Sequence, residues 1–164
     1  MMYWYLYHCW NLQHYPVVGW LTESILVSLA IWLSHYFSVF LTVGSMVMMD
    51  LRVLGWAAKK QTITQVADLY APWMWTGLSV LFVSGFLMLA SDSSLYCQNI
   101  PFGINILVTI LAAGTGVVIR KMVPRWDLPT GTPLIAKIVA GVALLLWLAT
   151  ILSAVEVPQW SDVP

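Results

Sequence analysis

Charged residues are scarce in this chain of 164 residues: they make up 9% of it, whereas hydrophobic residues make up 60%. Soluble globular proteins carry about 25% charged residues, so the composition excludes a protein whose surface mostly contacts water. The seven Lys and Arg are balanced by seven Asp and Glu, and they form no basic tail. The chain therefore lacks the electrostatic character of a nucleic-acid-binding protein.

Four kinds of local pattern are also missing. Residues 1–10 carry no basic residue and no small-residue cleavage site, so no cleaved signal peptide is expected. The sequence has no phosphate-binding glycine loop, no zinc-binding His/Cys set and no hydrolase triad. The length predicts a single domain, and these absences predict that it has no catalytic activity of its own.

Long apolar runs dominate what is present. A helix needs about 20 apolar residues to cross the roughly 30 Å hydrocarbon layer, and residues 21–49, 71–90, 102–119 and 134–155 provide four such runs. Pro72 suits the first turn of the second span. The sequence predicts an all-α bundle of four transmembrane helices in the lipid bilayer.

The basic residues predict the orientation of this bundle. All seven lie in or beside the first-to-second and third-to-fourth connections: Arg52, Lys59, Lys60, Arg120, Lys121, Arg125 and Lys137. The positive-inside rule places that side in the cytoplasm. We therefore predict a multi-pass protein of a bacterial inner membrane, with both termini in the periplasm. Residues 1–20, rich in Trp and Tyr, are interpreted as an interfacial segment, residues 21–155 as the transmembrane domain, and residues 156–164 as a short periplasmic tail.

His35 lies near the centre of the first predicted span, where ionisable groups are costly and usually face the bundle interior. At helical spacing it shares one seam with five hydroxyl side chains: Ser24, Ser28, Ser38, Thr42 and Ser45. The seam is interpreted either as a close helix-packing surface, with His35 neutral and hydrogen-bonded, or as a cofactor site. A bis-histidine haem needs a second imidazole at this depth, and His8 and His14 precede the span. A b-haem or a chlorin with one axial ligand needs only His35.

Two further sets of side chains are candidates for binding or bonding. Asp50 and Arg52 are interpreted as an interfacial ion pair or a helix-end cap, or else Arg52 and Arg120 bind an anionic headgroup, a quinone carbonyl or haem propionates. Cys9 and Cys97 lie on the same predicted outer side, in an oxidising compartment, and are a candidate disulfide. Their Cα atoms must then lie within about 7 Å of each other.

Two segments resemble a known family. His35, then Gly44, then Met49-Asp50-Leu51-Arg52-Val53-Leu54-Gly55, together with Pro72-Trp73-Met74-Trp75-Thr76-Gly77, resemble a bacterial family of four-helix membrane proteins of unknown function. That family has a His in helix one, a Gly nine residues later and a Val-Asp-Leu-Arg-Leu-Leu-Gly block. The resemblance covers most of residues 21–155 and implies the four-helix topology, but it implies no reaction.

The chain departs from the family pattern at three positions. Trp32 stands where the family usually has Glu, Ser38 where it has Gly, and Arg120 where many members have a second His. If that second His ligates haem in relatives, the role is lost or different here.

These observations predict a non-catalytic accessory or anchor subunit of a larger membrane complex, which would contact other membrane subunits and belong to an electron-transfer chain. The alternative is a cofactor-bearing electron-transfer subunit that uses His35. A small transporter or channel is the third hypothesis, although the apparent lack of intramembrane charges weighs against it.

Overall fold

In the computed structural model, which describes residues 11–97, 99–128 and 131–159, almost every residue is helical. A 3-10 helix, Asn11–His14, is followed by α1 (Pro16–Glu23) and α2 (Ile25–Leu54). The chain continues with α3 (Ile63–Ser91), the short α4 (Ser93–Tyr96), α5 (Ile100–Trp126) and α6 (Leu134–Gln159). The four long helices are long and apolar enough to cross a membrane. The predicted all-α, four-helix transmembrane fold is confirmed, and the chain is a multi-pass membrane protein.

The long helices extend beyond the apolar runs that predict them. Helix α2 continues to Leu54 and α5 to Trp126, and α3 begins at Ile63. Pro72 therefore lies inside α3 and does not open it, so that prediction is wrong. A hydropathy window finds only the segment that lipid requires, whereas helical hydrogen bonding continues through the polar turns beyond it. The first boundary, at residue 20, falls inside α1.

Specific residues set the helix ends. Thr62 caps α3 in a capping box with Gln65, in which each side chain bonds the other residue's backbone N–H. The side chain of Asn99 accepts from the N–H of Phe102 at 2.9 Å and so caps α5. Gly55, with φ of +80°, ends α2 in the left-handed conformation that glycine adopts without steric cost.

The four long helices form two antiparallel hairpins, α2–α3 and α5–α6, which pack with α2 beside α6 and α3 beside α5. We call the end with the α2–α3 and α5–α6 connections, at or near which all seven Lys and Arg lie, the basic end. The opposite end is the terminal end. Helix α1 packs at the terminal end against α2 and α3. The buried core is mostly apolar and includes Met46, Met74, Ile119, Trp147 and a row of alanines on α6.

A candidate ligand cavity around His35

A cavity of about 290 Å³ lies in the half of the bundle next to the terminal end, and all four long helices line it. Its wall is mostly aliphatic and aromatic, and its few polar lining residues include His35, Asn105 and Thr109. Phe82, Phe86 and Ile151 line it and are also 44–58% exposed on the outer surface. The cavity therefore reaches the lipid-facing side of the bundle.

His35 is held in this wall by a hydrogen bond between helices. Its Nδ1 lies 3.0 Å from the Oγ of Ser84 on α3. The Ser84 hydroxyl has a single proton, which it donates to the Val80 carbonyl at 2.6 Å. In the tautomer that fits this arrangement, Ser84 accepts from Nδ1–H and the lone pair of the neutral ring is on Nε2. The sequence pattern alone does not indicate this role for Ser84, which lies 49 residues from His35.

Gly85 makes room for the imidazole. A Cβ atom at this position would lie 3.3 Å from Cε1 of His35, which is tighter than ordinary van der Waals contact, and 3.7 Å from Nδ1, which is an ordinary contact. The adjacent pair Ser84 and Gly85 thus provides both the hydrogen-bond partner and the space for the ring.

The α5–α6 side of the cavity carries a second polar group. The amide nitrogen of Asn105 donates to the Thr150 carbonyl at 2.9 Å and to the Ser153 hydroxyl at 3.0 Å. Thr109 donates to the backbone carbonyl of Asn105 at 2.7 Å. Because these donors are all engaged, the side-chain oxygens of Asn105 and Thr109 present only acceptor capacity.

The terminal end of the cavity is bordered by α4. The ring of Tyr96 lies 4.8 Å, centroid to centroid, from that of Phe102, which lines the cavity. Burial, together with nearby Asp92 and Tyr36, raises the pKa of Tyr96. Tyr96 is therefore a neutral phenol at the boundary of an apolar space.

The predicted hydroxyl seam lies on the inner face of α2, most of all towards the basic end. Ser38, Thr42 and Ser45 are buried, and Ser24 and Ser28 are half-buried. Ser38 and Ser45 donate to carbonyls of α2 itself, so they do not bond across the seam. The outward positions Leu26, Leu29, Leu33, Phe37 and Phe40 are 53–76% exposed.

Close packing of α2 on α3 occurs at Thr42. A Cβ added to Gly77 would lie 2.9 Å from the backbone nitrogen of Thr42, so the two helix backbones approach as closely as a small residue permits.

Arg52 and Arg120 are not brought together with His35. Arg52 lies 17 residues further along α2, which is roughly 25 Å of helix, and its Nε donates to the Gln61 carbonyl at 2.7 Å. Arg120 pairs with Asp68 of α3 at 2.5 Å. Neither arginine lines the cavity, so neither contacts a group bound there.

The structure describes only one of the two cysteines of the predicted disulfide. Cys97, which follows α4, is disulfide-bonded. Cys9 and the N-terminal segment up to residue 10 lie outside the described residues, so the pairing of Cys97 with Cys9 stays a prediction, as does any role of His8. His14 is exposed at the end of the 3-10 helix and does not line the cavity. Within the described ranges, no three His, Cys, Asp or Glu side chains group in a way that could hold a metal ion.

Comparison with known proteins finds no matching family model, no similar curated protein and no similar solved structure.

Proposed function

We propose that this protein is a membrane-embedded binding subunit, which holds a lipid-soluble molecule with a hydroxyl group in the cavity beside His35. The observation that carries the proposal is the fixed imidazole: its Nδ1 bonds Ser84 at 3.0 Å, at the wall of a mostly apolar cavity. Ligand sites are commonly apolar spaces with a few polar groups that fix orientation, and this cavity has that character.

The direction of the hydrogen bonds selects the ligand class. Nε2 of His35 accepts, as do the side-chain oxygens of Asn105 and Thr109. A hydroxyl donor, such as that of a quinol, a phenol or an isoprenoid alcohol, complements these acceptors. A quinone carbonyl, itself an acceptor, is complemented by only one described group of the lining, the indole N–H of Trp147, which has no hydrogen-bond partner among the described residues. The volume of about 290 Å³ is near the lower limit of about 300 Å³ for ligand pockets, so it suits a single ring whose tail passes into lipid.

A binding subunit of this kind would also be an accessory subunit, which is the role expected from the sequence. A subunit that binds a lipid-soluble molecule beside a partner needs no catalytic groups of its own. By the positive-inside rule we place the basic end in the cytoplasm of a bacterial cell and the cavity in the periplasmic half of the inner membrane.

A b-haem or chlorin ligated by Nε2 is the second candidate. The Ser84 bond to Nδ1 favours it, because metal-ligating histidines usually donate their other ring N–H to an oriented partner. Two observations fit poorly with a bis-histidine haem whose propionates lie at the basic end: His35 is the single imidazole among the described residues of the lining, and Arg52 is far from it. The visible spectrum of the purified protein separates the candidates, since only a haem or chlorin absorbs strongly there.

Thermal unfolding with a short-chain quinol and with its oxidised quinone tests the proposal. A ligand at 100 times its Kd stabilises the folded state by about 2.7 kcal/mol. The quinol should therefore raise the unfolding midpoint of the wild type, and the quinone should raise it less. His35→Phe should abolish the difference, whereas Ser34→Ala, at an exposed neighbouring position, should keep it. Equal shifts from both compounds in all three proteins would contradict the proposal.

A further inference from the structure

Asp50 is a buried carboxyl group that the proposed function does not use. It lies one turn before the end of α2 and is 2% exposed. Among the described residues its Oδ2 has no hydrogen-bond partner. The interfacial ion pair expected from the sequence is not formed, because Arg52 turns to the Gln61 carbonyl.

The surroundings of Asp50 are apolar. Its neighbours on the inner face of α2 are Met46, Met49 and Val53, each no more than 3% exposed. The facing helices contribute other buried apolar residues of the same core cluster: Ile63, Ala67, Ile119, Val123, Ala136 and Ala140. An isolated carboxylate in such a place loses its hydration without compensation, so the protonated acid is the form that the packing accommodates.

The other titratable groups of the basic end do not compensate Asp50. Arg120 pairs with Asp68, and Asp127 accepts from the backbone of Ile63 and Thr64. The remaining groups are exposed or at the edge of the core: Lys59, Lys60, Tyr70, Lys121, Arg125 and Lys137.

A second polar group without a partner lies on the same face. Thr42 is fully buried, and its Oγ1 has no hydrogen-bond partner in the described part of the chain. It lies eight residues before Asp50, roughly 12 Å along the helix. Ser38 and then His35 follow towards the cavity. The inner face of α2 thus carries polar side chains from Asp50 to the cavity through an otherwise apolar core.

We infer that Asp50 is a proton-binding site that exchanges with the water at the basic end. Ionisable side chains inside a membrane bundle commonly mark proton relays, and Asp50 combines full burial with a position one turn from the helix end. The step is simple: the carboxylate takes a proton from hydronium and leaves water, and the reverse step releases it. The inference does not depend on a ligand in the cavity.

Infrared spectroscopy of the full-length protein in lipid, labelled with ¹³C at the aspartate carboxyls, tests this inference. Exposed aspartates ionise near pH 4, whereas buried carboxyls can remain protonated to about pH 8 or 9. Above about pH 5, we expect one infrared carbonyl band from a ¹³C-labelled carboxyl group that is still protonated. This band should disappear reversibly as the pH is raised further.

Variants assign the band. Asp50→Asn should remove it, Asp50→Glu should replace it with an unlabelled band that still titrates, and Asp68→Asn should leave it unchanged. If Asp50→Asn does not fold, the wild-type titration and Asp50→Glu decide. The inference is overturned if the wild type shows no such band, if the band does not change up to pH 9, or if Asp50→Glu leaves the labelled band in place.

Discussion

At the scale of single residues, Gly77 and Gly85 decide how closely α3 approaches α2. Gly85 leaves space for the His35 ring, and Gly77 lets the backbone of α3 reach that of Thr42. Without a hydrophobic force between helices in lipid, van der Waals packing at such positions is a main source of association. These two glycines therefore position both the histidine and the cavity wall.

Gly77→Ala tests this packing. The added Cβ would lie 2.9 Å from the backbone nitrogen of Thr42, and because backbone cannot move aside as a flexible side chain can, the helices must separate. Overpacking of this kind costs about 1–3 kcal/mol, so the unfolding midpoint in mild detergent should fall. Gly44→Ala is the matched control, because nothing lies within 4 Å of its added Cβ. Equal midpoints for the two variants would contradict the account.

At the scale of elements, Asp127 links the end of α5 to the start of α3. Its carboxylate accepts from the backbone N–H of Ile63 at 3.3 Å and of Thr64 at 3.1 Å, and so satisfies donors that a helix start leaves free. Partial burial acts to raise the pKa of Asp127, but hydrogen bonds from Thr64, Thr62 and Ile63 outweigh it and lower the pKa overall.

A pH-dependent stability follows from this lowered pKa. The stabilisation is fully present above the pKa of the unfolded chain, about 3.9, and is lost as the pH falls through the lower folded value. Wild type should therefore lose stability in acid more steeply than Asp127→Ala. At neutral pH that variant should be less stable by about 1 kcal/mol, as for other lost caps. Denaturation curves at several pH values measure both effects, with Glu156→Gln as a control. Parallel acid profiles would contradict the role of Asp127.

The sequence predicted the structure correctly where one physical requirement decides it. The need to satisfy backbone groups in lipid predicted the four long helices. The sequence did not predict that Asp50 is buried, because the burial of a residue near a helix end depends on which helices surround it. A carboxyl group beside an arginine suggests an ion pair instead. Nor did the sequence predict the role of Ser84, because the partner of His35 is 49 residues away.

The predicted disulfide would attach the N-terminal segment to the bundle. Cys97 is bonded, and we predict Cys9 as its partner. Closing a loop of this length stabilises by at most about 4.7 kcal/mol in the chain-entropy model, and by less when the unfolded chain remains confined to the membrane. Mass spectrometry of native, alkylated protein under non-reducing conditions should find one peptide pair joined through Cys9 and Cys97. Two alkylated cysteines would refute the pairing.

At the scale of the whole molecule, the charge asymmetry predicts the orientation. All seven Lys and Arg lie at or near the basic end, so both termini should be periplasmic. A reporter that is active only in the periplasm should be active when fused after Pro164 and inactive when inserted at Lys60. The reversed pattern would invert the topology and place the cavity in the cytoplasmic half.

Native mass spectrometry of the detergent-released protein tests most directly whether the bundle holds a ligand in the proposed cavity. Wild type should retain one tightly bound small molecule. Gly85→Leu, which places a side chain against His35, should lose it, and Gly114→Leu, whose added Cβ has nothing within 4 Å, should keep it. A wild type without a bound molecule, or the same bound lipids in all three proteins, would contradict the account.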